Sequence, residues 1–130
     1  RQKETDTRRG IGSTGYCMGG PMVMYTAAAV PARVHGGATF HGGGLAADGL
    51  IALVPQMKAH WLIAIAENDD ARAPEDKDKL KAAFAASSQP AEVEVYKGTM
   101  HGWCPPDSQV YNADQANRAW ERLLATFAAL

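Results

Sequence analysis

The clearest pattern along the chain is the apolar run that opens at His60 and continues Trp61-Leu62-Ile63-Ala64-Ile65-Ala66. Its length and lack of alternation are those of a strand buried on both faces of a parallel sheet. Ala91-Glu92-Val93-Glu94-Val95-Tyr96 alternates apolar with charged residues and predicts a strand exposed on one side, near a sheet edge. Val34 to Phe40 predicts a shorter strand interrupted by Gly36-Gly37. Gly10-Ile11-Gly12-Ser13-Thr14 is poor in strand-forming residues and is assigned as a strand only because the turn after it demands one. Met18 to Val30 predicts a helix, with Pro21 tolerated in its first turn, Ala27-Ala28-Ala29 favouring it and Pro31 ending it. A second helix is expected from Pro74 to about Ala86, with Leu80 and Phe84 on one face. A third runs from about Asn112 to Leu130, with Ala116, Ala119, Trp120, Leu123, Leu124 and Phe127 at helical spacing. Leu45 to Met57 is irregular and reads as loop or short helix. This order predicts an α/β fold with mostly parallel strands flanked by helices.

Composition narrows the function classes. At 130 residues the chain is one domain, and 46% hydrophobic with 21% charged residues is an ordinary globular balance. Thirteen Lys and Arg against 14 Asp and Glu leave a net charge of −1, which argues against a nucleic-acid partner. No apolar run approaches the roughly 20 residues of a membrane-spanning helix. Two cysteines are too few for a disulfide framework, so a reducing, cytoplasmic setting is the expectation. The chain starts at Arg1 without an initiator Met, so the expectation is either that something has been removed from the front or that the chain is a fragment.

The chemistry concentrates where strands end. Gly15-Tyr16-Cys17-Met18-Gly19-Gly20 has the form of a nucleophile elbow with a thiol in place of the hydroxyl. Small residues two before and two after Cys17 are expected to let the turn close, and the following helix start favours a thiolate. The alternative is a strand-to-helix turn carrying an ordinary buried thiol. Glu67-Asn68-Asp69-Asp70 follows the buried strand, and Gly98-Thr99-Met100-His101-Gly102-Trp103 follows the next one. Nucleophile, acid, histidine is the chain order of α/β-hydrolases. His41, opening His41-Gly42-Gly43-Gly44, is a candidate wall of the pocket, against the alternative of a loop histidine without a chemical role.

The segments Gly15 to Gly20, Asp70-Ala71-Arg72-Ala73-Pro74 and Gly98 to Trp103 together resemble the three motifs of the dienelactone hydrolase family. The resemblance runs from about Arg8 to Leu130. It implies the C-terminal half of an α/β-hydrolase fold, with residues 1–130 as a partial domain lacking the early strands and the second oxyanion donor. It further implies hydrolysis of a small lactone or ester through Cys17 as nucleophile, His101 as base and Asp70 as acid, with Asp69 the alternative. The Met18 N–H is the expected oxyanion donor, and Tyr16, His41 and Trp103 are the expected pocket walls. No cofactor or metal is implied. Family members that act on dienelactone carry an Arg in the loop after the histidine; here that loop reads Trp103-Cys104-Pro105-Pro106, which points away from dienelactone itself.

Two rival readings stand beside this one. Cys17, Cys104 and His101 could form a redox or metal site. A truncated hydrolase half could also serve as a scaffold without activity.

Overall fold

A computed structural model describes residues 6–130. Its centre is a parallel sheet of four strands, β1 (Ile11–Tyr16), β2 (Val34–Phe40), β3 (His60–Ala66) and β4 (Ala91–Tyr96), lying in the order β1-β2-β3-β4. Register places Tyr16 beside Phe40, Phe40 beside Ala64 and Ala66 beside Tyr96, so all four strands end along one rim. Helix α1 (Gly19–Ala29) connects β1 to β2. A short helix α2 (Asp48–Ile51) and a 3-10 turn (Val54–Gln56) lead into β3. Two more helices, α3 (Glu67–Arg72) and α4 (Asp76–Ala86), lie between β3 and β4, and α5 (Ala113–Phe127) follows β4. Among the described residues no helix is long and apolar enough to cross a membrane.

Two apolar layers hold the sheet. On one face Val23, Met24 and Ala27 of α1 and Leu80 and Phe84 of α4 pack with Trp61, Ile63 and the segment around Leu50 and Val54. On the other, Ala119 and Leu123 of α5 pack with Ala38, Phe40, Leu62, Ala64, Tyr96 and Trp103. The central strands are buried on both sides, which is why β3 reads as an unbroken apolar run.

The boundaries expected for β2, β3 and β4 match those observed, and α1, α4 and α5 differ from expectation only at their ends. Two differences have physical causes. The weak strand signal before the elbow reflects packing: a Cβ on Gly12 would lie 2.4 Å from the ring of Phe127, so the α5 aromatic sits where a side chain would stand. The acidic run after β3, for which the sequence pattern predicts no element, winds into α3.

One buried polar side chain ties the first layer together. Gln89 accepts from Trp61 Nε1 at 3.0 Å and donates through Nε2 to the Val54 carbonyl at 2.8 Å. Trp61 in turn stacks on Phe84, with ring centroids 5.1 Å apart. Replacing Gln89 by Leu strands an indole N–H and a carbonyl, each worth about 1–3 kcal/mol when buried and unpaired. Gln89→Leu is expected to lower unfolding free energy by about 2–4 kcal/mol in urea denaturation, without moving the rim residues.

Candidate active site

Cys17 sits between β1 and α1 with φ +50°, a left-handed backbone that residues with a Cβ rarely adopt. The Cys17 N–H donates to the Phe40 carbonyl at 3.1 Å, and the Gly20 N–H returns to the Cys17 carbonyl at 3.0 Å. A Cβ on Gly15 would come within 2.2 Å of the Gly19 carbonyl oxygen, so the turn closes only over a glycine there. The expectation for Gly19 needs correcting, because a Cβ at that position would meet nothing within 4 Å. Met18, the residue after the thiol, caps α1 with its side chain in solvent and its main chain at the helix start, where N–H groups lack helical acceptors.

The histidine loop is fastened to α3. The Glu67 N–H donates to Thr99 Oγ1 (3.2 Å), whose hydroxyl donates to the Tyr96 carbonyl (2.6 Å), and the His101 N–H donates to Asn68 Oδ1 (2.8 Å). Against this frame His101 Nδ1 meets Asp69 Oδ2 at 2.8 Å. The structure thus places Asp69, not the expected Asp70, on the imidazole. Asp70 instead accepts from Lys77 Nζ at 2.8 Å. The reason is the helix: successive residues on α3 diverge by about 100°. Adjacent carboxylates that would be interchangeable on a loop therefore face different partners.

His41 is drawn into the centre. It has φ +41°, no exposed surface, and its Nδ1 lies 3.1 Å from Cys17 Sγ. Its ring stands edge-on to those of His101 (5.4 Å) and Trp103 (5.1 Å). Burial pushes this imidazole down to about 4, with His101 acting the same way and Asp69 opposing. The ring is therefore neutral at pH 7, and its tautomer sets which partner donates in the Cys17–His41 contact. The structure thus sets His41 against the Cys17 sulfur at the end of β2, in a buried position and not in an exposed loop. The available sequence signal was its place at the end of the strand paired with β1.

One ligand atom each from Cys17, His41 and His101 lies within 4.8 Å of the others. Cys104, expected in the rival redox or metal arrangement, is absent from that cluster. Its thiol is pushed up to about 12, chiefly by burial and then by Cys17, and both cysteines are free. Trp103 is also placed differently from expectation. It is fully buried, stacked on Tyr96 at 5.2 Å and edge-on to His41, and does not line the cavity beside Tyr16. Tyr16 does line one. A cavity of about 420 Å³ opens beside it, walled by Phe40, Cys104, Pro105, Tyr111 and Trp120. Tyr16 and Phe40 stack at 4.8 Å along its floor.

A parallel α/β sheet carrying a thiol on a strained strand-to-helix turn, with a carboxylate on the short helix after β3 and an imidazole on the loop after β4, is the α/β-hydrolase class of arrangement. Within that class the chain belongs to the dienelactone hydrolase family, whose model matches residues 1–130. Among solved structures it is similar to a candidate dienelactone hydrolase from Klebsiella pneumoniae subsp. pneumoniae MGH 78578, at 22% identity and a TM-score of 0.78 over 92% of this chain and 52% of that one. It is also similar to the dienelactone hydrolase-like promiscuous phosphotriesterase P91 from metagenomic libraries, at 20% identity and 0.76 over 92% and 52%. The protein m3DLH matches at 19% identity and 0.82 over 98% and 55%. These likenesses establish the fold, and the chain spans about half the length of each. No curated protein matches the sequence.

The depressed His41 value carries a stability consequence. The folded state favours the neutral ring, so this contribution is fully present above the ordinary histidine value of 6.5 and is lost as pH falls from there through about 4. Denaturant unfolding at pH 7 and pH 4 is expected to show a loss on the order of 3 kcal/mol from this group. His41→Asn should flatten that part of the pH profile.

Proposed function

We propose that the protein is a thiol hydrolase for small, uncharged carboxylic esters or lactones. The observation that carries this reading is the left-handed Cys17 on its elbow facing an imidazole held by Asp69 at 2.8 Å. In this mechanism His101, its Nδ1 engaged by Asp69, takes the Cys17 proton at Nε2 as the sulfur attacks the acyl carbon. The Met18 N–H and the start of α1 stabilise the oxyanion. His101 then passes the proton to the departing alkoxide, leaving a thioester. Water, deprotonated by the same nitrogen, attacks the thioester, and the returning proton restores the thiol. Asp69 holds the ring in the tautomer that leaves Nε2 free.

Substrate preference follows from the walls. The cavity beside Tyr16 presents aromatic rings and prolines, and the loop after His101 offers no cation for a substrate carboxylate. Aromatic or short apolar acyl groups fit that lining. A hydrolase with this chemistry takes small molecules as its partners.

Hydrolysis of p-nitrophenyl acetate is expected, with inactivation by iodoacetamide and loss of turnover in Cys17→Ala. Unchanged turnover in that variant would sink the thiol mechanism and favour the scaffold reading. Asp69→Asn should reduce kcat on the order of 10³–10⁴-fold, whereas Asp70→Asn should stay within about threefold of the parent. The reverse ranking would return the acid's role to Asp70. Trp120→Ala should raise KM for aryl esters on the order of tenfold while leaving kcat nearly unchanged.

A further inference from the structure

The cluster at the rim holds more nitrogen than a thiol-imidazole-carboxylate triad requires. Two histidines converge on one sulfur: His41 from the end of β2, within hydrogen-bond distance, and His101 from the loop after β4. Soft sulfur and two imidazoles form a donor set for zinc and its close relatives, and not for magnesium or calcium, which favour oxygen. We propose that Cys17, His41 and His101 form a binding site for a zinc-type divalent cation, and that its occupancy switches the nucleophile off.

The geometry suits such an ion. With Zn–S near 2.3 Å and Zn–N near 2.0–2.1 Å, tetrahedral ligands stand roughly 3.3–3.6 Å apart. The Cys17–His41 separation is 3.1 Å, and all three donors already lie within 4.8 Å, so the remaining adjustment is a small side-chain rotation. Three further features favour a metal. Asp69 on Nδ1 of His101 supplies the outer carboxylate that orients a metal-bound imidazole and raises its donor strength. Nε2 of His41 is buried without a protein partner, so no competing hydrogen bond holds that ring away from an ion. His101 is exposed and Cys17 partly so, which leaves an approach from solvent and a fourth position for water.

On binding, the Cys17 S–H bond breaks, its proton leaves to solvent and a sulfur–metal bond forms; no electron changes hands. The sulfur lone pair and the free nitrogen of His101, both needed for acyl transfer, are then occupied. The inhibitory part rests on the hydrolase reading above, whereas the binding part does not.

The test separates the two. The purified, chelator-stripped protein is titrated with Zn²⁺ in competition with a chromophoric chelator, with circular dichroism as a check on folding. One equivalent is expected to bind. Cys17→Ser, His41→Ala and His101→Gln should each weaken binding at least about tenfold, and Asp69→Asn about 10–100-fold. In the unaltered protein Zn²⁺ should protect Cys17 from iodoacetamide, read by peptide mass, and Mg²⁺ should not. Ester hydrolysis should fall in step with occupancy and return on adding EDTA. Absence of stoichiometric binding, or binding unaffected in all three ligand variants, overturns the site. An active esterase that Zn²⁺ neither binds nor inhibits removes the metal site and leaves the hydrolase reading standing. A protein that binds Zn²⁺ at these residues without esterase activity does the converse.

Discussion

The left-handed turn at Cys17 is the constraint on which the rest of the rim depends. A non-glycine residue at positive φ persists only where its surroundings hold it. Here the hold has two parts, the Cys17 N–H bonded to the Phe40 carbonyl and the close approach of the Gly19 carbonyl to Gly15, which a Cβ would block. Releasing either would let the chain relax toward an ordinary strand-to-helix loop and move the sulfur away from both histidines. The parallel pairing of β1 with β2 therefore does more than build a sheet. It brings the end of β2, and with it His41, directly beside the Cys17 sulfur.

The same rim shows how short-range structure chooses between chemically equal groups. Asp69 and Asp70 have identical carboxyls one residue apart. Helix α3 sends one to His101 and the other to Lys77 of α4. The loop bearing His101 is then locked to that helix through Asn68, Glu67 and Thr99, so the carboxylate and the imidazole are positioned by one connected set of hydrogen bonds. Such a set is rigid only while complete, which couples the order of the loop to the order of α3.

Electrostatics divides the two histidines. His41, buried and beside a second imidazole, is held neutral over the ordinary pH range, while His101 is exposed and faces a carboxylate. One ring is thus closed off from solvent beside the sulfur, and the other is open to solvent beside Asp69. Cys104 stands apart from both. With its thiol pushed up to about 12, it is a half-buried member of the apolar wall and lies outside the Cys17–His41–His101 cluster.

Much of the fold was legible in the chain because burial on both faces of a parallel sheet leaves long apolar runs, and amphipathic helices leave periodic ones. The strands β2, β3 and β4 follow from their own residues, and the thiol and the histidine loop were visible from motif and order. The strand β1 was not, since Gly12 is there to admit Phe127 from the far end of the chain. Nor was the choice of Asp69, which depends on a helix that the acidic run Glu67 to Asp70 does not announce, or the burial of Trp103 beside His41. Local sequence determined which elements form and which reactive side chains stand at their ends. Only the tertiary structure decided which of those side chains meet, because contact between β1, β2 and the loops after β3 and β4 depends on register and helix rotation, and neither is written in any single segment.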